Sequence, residues 1–291
     1  MQKLSNYNNI LFGTCSWKYD SWRGIIYPEN GEINYLKEYS KYFKTVEIDQ
    51  WFWSLFEDKN VKLPSKKDVL NYRDSVTEDF IFTIKVPNSI TLTHYYNKQK
   101  AERLKQNPYF LSQNLFNDFI LSIKEIVPQV GVLILQFEYL NKQKMSSQLE
   151  FLTRLEKFLE SISKDVSIGI ETRNPNYLNK EFFKFLRDRN LVPVLLQGYY
   201  MPSVFDIYWK FRDYITNKIV IRLHGPYREK IESESGGNWN KIIHPKHEEL
   251  IKLKELILDL TKRKIKGFVN VNNHYEGSAP LTIKRIISLL N

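Results

Sequence analysis

Eight short runs of this chain alternate apolar and polar residues or read as buried strands, and stretches of helical spacing separate most of them. The runs are Ile10–Ser16, Thr45–Asp49, Phe80–Val86, Val130–Phe137, Ser167–Arg173, Leu191–Leu196, Ile219–Leu223 and Gly267–Asn272. Strands that alternate with helices pair in parallel through right-handed crossovers, and eight of them can close on themselves. The length of 291 residues suits one such barrel, which typically needs about 250. The expectation is an α/β fold: a single (β/α)8 TIM barrel spanning residues 1–291, with no linker and no internal repeat. A doubly wound open sheet would need a glycine-rich turn after the first strand, which Gly13-Thr14-Cys15-Ser16-Trp17 does not supply.

Some irregularity is expected around the sixth strand, because Pro193 cannot donate to a strand ladder and no clear helix follows. Residues 87–111 are long enough for a lid after the third strand, and Gly225–Gly237 reads as a mobile loop.

The segment Ser167–Tyr177 indicates where function would gather. Ile168, Ile170 and Thr172 share one face, while Ser167, Gly169, Glu171 and Arg173 share the other. A face that starts small and ends charged suits a strand whose small end packs inside a barrel and whose charges reach the mouth. Other strands end alike. Reading the ends in order gives Trp17, Glu47 with Asp49, Lys85 with His94, Gln136, Glu171 with Arg173, Arg222 with His224, and Asn272 with Asn273 and His274. Barrel chemistry is built from the C-terminal ends of strands, so polar residues converging from seven strands point to a functional mouth.

The net charge of +10 favours an acidic partner over a basic one, although a Lys-, Asn- and Ile-rich composition accounts for part of it. One cysteine, Cys15, excludes an internal disulfide and a Cys-x-x-Cys zinc element. The polar N-terminus and the shortness of the longest apolar run, Val130–Leu135, argue against a signal peptide or a membrane span. A cytoplasmic protein with no evident protein partner is expected.

The motifs Gly13-Thr14-Cys15-Ser16-Trp17, Trp22-Arg23-Gly24, Thr45-Val46-Glu47-Ile48, Phe82-Thr83-Ile84-Lys85, Leu135-Gln136-Phe137, Ile170-Glu171-Thr172-Arg173, Arg222-Leu223-His224-Gly225 and Asn272-Asn273-His274 occur in this order along nearly the whole chain. In these the chain resembles the YecE-like proteins, a family of unknown function. The resemblance implies a TIM barrel and a shared polar mouth. The chain departs from the family pattern at Asp49-Gln50-Trp51-Phe52-Trp53, at Glu138-Tyr139 and at Gln197.

The residues suggest a phosphate-bearing ligand, with single-stranded or damaged nucleic acid as one source and phosphodiester hydrolysis as the reaction. Lys85, Arg173, Arg222 and His224 are expected to converge on one anion, with Gly225 and Gly277-Ser278 offering backbone N–H groups. Trp17, His94, Gln136, Asn272, Asn273, His274 and Ser278 complete the expected binding set, and Glu47, Glu171 and His224 are the candidate catalytic groups. Ser278 also reads as a helix cap. A divalent metal would draw on Glu47, Glu171, His94, His224 and His274, but guanidinium groups beside those ligands argue for no cofactor. Glycoside hydrolysis by Glu47 and Glu171 is the alternative, and a non-catalytic binding module is the third.

Overall fold

The eight expected strands are β1 (Ile10–Thr14), β2 (Thr45–Ile48), β3 (Ile81–Lys85), β4 (Val130–Gln136), β5 (Ile168–Glu171), β6 (Val192–Gly198), β7 (Lys218–Gly225) and β8 (Lys266–Val271). All neighbours pair in parallel, in the order β1-β8-β7-β6-β5-β4-β3-β2. The structure, a computed structural model, describes residues 7–56, 60–96, 104–162 and 165–291.

The two end strands close the barrel by close approach. Cys15 bridges to Glu47, and Ser16 N donates to Glu47 O at 3.0 Å. Lower down, the Tyr39 hydroxyl takes the place of a ladder bond: it accepts from Thr14 N and donates to Thr45 O, each at 2.9 Å. Gly13 is required at this seam, because a Cβ there would lie 2.2 Å from the Thr45 carbonyl oxygen.

Inside the barrel, Val132, Ile134, Val192, Val194, Val220 and Phe268 form a closed apolar cluster. The small positions fit it: a Cβ on Gly131 would meet the Phe268 ring at 2.6 Å, and one on Gly169 would meet Val132 at 2.8 Å. The small end of β5 therefore packs inside, as its pattern implies. Pro193 pairs with Ile170, and the β5–β6 ladder is only two residue pairs long, which is the irregularity expected there.

The outer layer comprises α1 (Tyr35–Ser40), α2 (Lys66–Asp74), α3 (Asn88–Thr91), α4 (Gln113–Ser122), α5 (Gln148–Leu159), α6 (Lys180–Asp188), α7 (Val204–Phe211), α8 (Arg228–Ser235), α9 (His247–Lys262) and α10 (Ala279–Leu290). Two of these correct the sequence reading. Helix α7 follows β6, and its sequence VFDIYWKF carries too little polar residue for a 3.6-residue stripe to show. Helix α8 occupies the segment read as a mobile loop. It buries only Ile231 and Ser235, so it lacks an apolar stripe, and Gly236 ends it at φ 60°. The lid read over 87–111 lies partly outside the described residues, and Asn88–Thr91 within it is helical and buried.

Candidate functional site

Above the apolar cluster the inward-facing positions turn polar. Arg222 of β7 lies at the centre, 1% exposed. Its Nε donates to Glu47 Oε2 and its Nη2 to Glu47 Oε1, both at 2.7 Å, a bidentate fork across the barrel. Its Nη1 donates to Glu171 Oε2 at 2.5 Å and to Gln136 Oε1 at 3.1 Å. Asn270 completes the layer by donating to Glu47 Oε2 at 3.1 Å and Thr83 Oγ1 at 2.9 Å.

Burial alone would raise the Glu171 carboxyl, but the Arg173 and Arg222 guanidinium groups outweigh it and hold the group below its ordinary value. Arg222 is pushed upward by Glu171 and Glu47 against the opposing effect of burial, so it stays charged. Arg222 therefore forms the floor of the mouth. Four guanidinium hydrogen bonds and near-complete burial engage Arg222 with Glu47, Glu171 and Gln136.

The groups nearer the mouth lie one layer higher. Arg173 Nε is 2.7 Å from Glu171 Oε1, an ion pair whose angle falls outside hydrogen-bond geometry, and its side chain is 20% exposed. Its Nη2 donates to Gln136 Oε1 at 3.3 Å, and the guanidinium lies 4.9 Å from the Tyr199 ring centre. Lys85 Nζ stands 3.6 Å over the Phe52 ring. Burial and then the Arg222 charge lower its ammonium to about 8. Asp49 is pushed up to about 6 by burial and by Glu47. His224 is held neutral by burial and by Arg222, and its nearest partners are distant: Cys15 Sγ at 3.5 Å from Nε2 and the Tyr199 hydroxyl at 3.5 Å from Nδ1.

The other expected residues lie among contacts within the protein. Trp17 is buried, edge-on to Tyr72 at 5.0 Å, and its carbonyl accepts from the Tyr27 hydroxyl. His94 Nδ1 is 2.9 Å from Thr93 Oγ1, and the ring lines a separate cleft with Lys142 and Lys144. Asn272 Oδ1 accepts from His274 N at 2.9 Å, and His274 Nε2 meets Glu232 Oε1 of α8 at 2.8 Å. Asn273 Oδ1 accepts from Ala279 N at 2.9 Å and so caps α10. Ser278 occupies the N-cap position, but its buried hydroxyl makes no cap bond, and Pro280 in the first turn has no N–H to offer it.

The expected backbone cradle is filled by the chain itself. A Cβ on Gly277 would meet Lys241 O at 2.7 Å, Ile243 N donates to Glu276 O at 2.6 Å, and a Cβ on Gly225 would meet His274 O at 2.7 Å.

Sequence reading gave no site role to Asn270, Tyr199 or Phe52. Asn270 shares its parity with Asn272 and could have been found by continuing the alternation one step inward. Tyr199 depends on a left-handed backbone at φ 55°, which no local pattern signals. Gln197, noted as a departure from the family pattern, is structural: it accepts from Val204 N and donates to Glu249.

Cys15, Glu47 and His224 offer ligand atoms within 4.8 Å of one another. They fit a cation poorly. Both Glu47 oxygens are engaged by Arg222, and burial, then Glu47, raises the Cys15 thiol and keeps it protonated. No helix among the described residues is long and apolar enough to cross a membrane.

Comparison with known proteins sets this mouth in a family. The family model described as protein of unknown function DUF72 matches residues 11–291. The chain belongs to the DUF72 family. It is 23% identical over 171 residues to the UPF0759 protein YecE of Escherichia coli K12, covering 59% of this chain and 51% of that protein. The chain thus spans about half the length of this curated relative. Among solved structures, a DUF72 protein from Thermotoga maritima superposes with a TM-score of 0.66 at 19% identity, covering 96% of this chain and 99% of that one. One from Enterococcus faecalis gives 0.64 at 18% identity, covering 96% and 95%. These likenesses support the barrel fold.

Proposed function

We propose that this DUF72 barrel binds a phosphate-bearing ligand at its C-terminal mouth, with Arg173 as the principal anion contact. One observation carries this reading: Arg222 and Arg173 together balance the charges of Glu47 and Glu171, and Arg173 is the one of the two that is anchored above the carboxylates and partly exposed. Its guanidinium is preorganised by Glu171, Gln136 and Tyr199, which lowers the ordering cost of presenting donors to an oxyanion. Lys85 adds positive charge, and neutral His224 can donate or accept at the same place.

The rim favours single-stranded nucleic acid as the phosphate source. Trp53, Tyr96, Tyr139, Tyr200 and Tyr227 follow β2, β3, β4, β6 and β7, and each is more than half exposed, from 59% to 95%. Base stacking on such rings contributes about 1–3 kcal/mol each. Phosphodiester hydrolysis would use His224 to take a proton from water, since Glu47 and Glu171 are held by Arg222. The same engagement disfavours glycoside hydrolysis, which needs a protonated carboxyl group in contact with its substrate. The buried free thiol of Cys15 suits a cytoplasmic setting.

Fluorescence anisotropy at low salt tests this reading with a labelled single-stranded oligonucleotide, its duplex and a phosphosugar competitor. Expected is saturable single-strand binding that weakens with salt and in Arg173→Gln. Silence towards both the oligonucleotide and the phosphosugar would sink it. Binding without turnover would favour the non-catalytic module.

A further inference from the structure

We propose that Lys85 is a carbonyl-reactive amine that forms an imine with an aldehyde group of a phosphorylated ligand held at the mouth. The lysine ends β3 facing inward, is 9% exposed, and places Nζ 3.6 Å over the Phe52 ring. Among the described residues no carboxylate forms an ion pair with it, whereas Lys44, Lys144, Lys184 and Lys246 each have one. Burial and the nearby Arg222 guanidinium disfavour an ammonium ion and outweigh the favourable Phe52 face and the pull of Glu47, Glu171 and Asp49, and a lysine so placed presents more free amine. With its group lowered to about 8, roughly a tenth is free amine at pH 7, some 300-fold more than an ordinary lysine.

A proton carrier stands beside it. The β2–β3 register pairs Ile48 with Ile84, so its continuation sets Asp49 next to Lys85, both facing inward. Asp49, pushed up to about 6 by burial and by Glu47, exchanges its proton close to neutral pH and so can take and give one in turn.

The chemistry balances without an oxidant or a metal. The amine lone pair attacks the carbonyl carbon, a C–N bond forms, and the C=O pair moves to oxygen. The Asp49 carboxylate takes a proton from the nitrogen and passes it to that oxygen, giving a neutral carbinolamine, and Asp49 then takes up a proton from solvent. Asp49 then protonates the carbinolamine hydroxyl, the C–O bond breaks, and water leaves an iminium on Lys85. The inference rests on the proposed anion site only for the phosphate, which Arg173 would anchor.

The test treats the full chain at pH 7 with glycolaldehyde or glycolaldehyde phosphate, reduces with cyanoborohydride, and reads intact mass and peptide maps. Expected is one dominant adduct on the Lys85 peptide, forming at least roughly tenfold faster than on exposed Lys18 and faster with the phosphate. Lys85→Arg should abolish it, and Asp49→Asn should slow it with Lys85 still labelled. Equal labelling of Lys85 by both aldehydes keeps the amine assignment and removes the phosphate anchor. Labelling of Lys85 no faster than Lys18 overturns the inference, and the wild-type map alone decides this without any variant.

Discussion

Replacing Arg222 by Met would strand two buried carboxylates. Glu47 and Glu171 are each at most 1% exposed and lose hydrogen bonds of 2.5–2.7 Å, while Gln136 loses one of its two donors. Breaking a buried pair by removing one partner costs about 3–5 kcal/mol, because an uncompensated charge remains. The loss at pH 7.5 should reach or exceed that range, since one cation serves both acids. The carboxylates can escape by taking up protons. Each that does so recovers about 1.4 kcal/mol per pH unit, so the deficit should shrink steeply by pH 5.5. Urea unfolding followed by tryptophan fluorescence at both pH values measures this. Combining Arg222→Met with Glu47→Gln and Glu171→Gln should restore much of the stability at pH 7.5, because the orphan charges are gone. A deficit under about 1 kcal/mol at both pH values would refute the reading of Arg222 as a buried clamp.

Removing the Tyr39 hydroxyl in Tyr39→Phe leaves Thr14 N and Thr45 O unpaired at the barrel seam, and should cost about 1–3 kcal/mol in the same unfolding assay. Gly13→Ala should be worse and yield little folded protein by near-ultraviolet circular dichroism, because its Cβ would overlap backbone. For Asp49, a folded value raised to about 6 means that its contribution is present at pH 4 and lost as pH rises through 6. Asp49→Asn should therefore raise the urea midpoint at pH 7.5 and leave it nearly unchanged at pH 4. Glu171 has the opposite sign: its contribution is present at neutral pH and fades as acid protonates it below the ordinary carboxylate value.

The barrel was legible in the sequence because each strand carries its own period and its own polar terminus. The parity of Ser167, Gly169, Glu171 and Arg173 located both the packed bottom and the charged top of β5. Local pattern failed where a neighbour sets the role. Arg222 and Arg173 look alike in sequence, two charged residues at strand ends, yet one lies beneath two carboxylates and the other above them. Strand stagger decides that difference, and parity alone does not reveal it. Ser278 holds the cap position as its sequence context implies, but its hydroxyl makes no cap bond, and the first N–H of the helix is served by Asn273.

The most direct measurement is calorimetric titration of the full chain with inorganic phosphate and with glycolaldehyde phosphate, alongside Arg173→Gln. Charge-assisted hydrogen bonds contribute about 1.5–3 kcal/mol, so the variant should bind roughly 10- to 100-fold more weakly while unfolding at a urea midpoint close to wild type. Phosphate binding of equal strength in both proteins, or none in wild type, would contradict an anion site at Arg173.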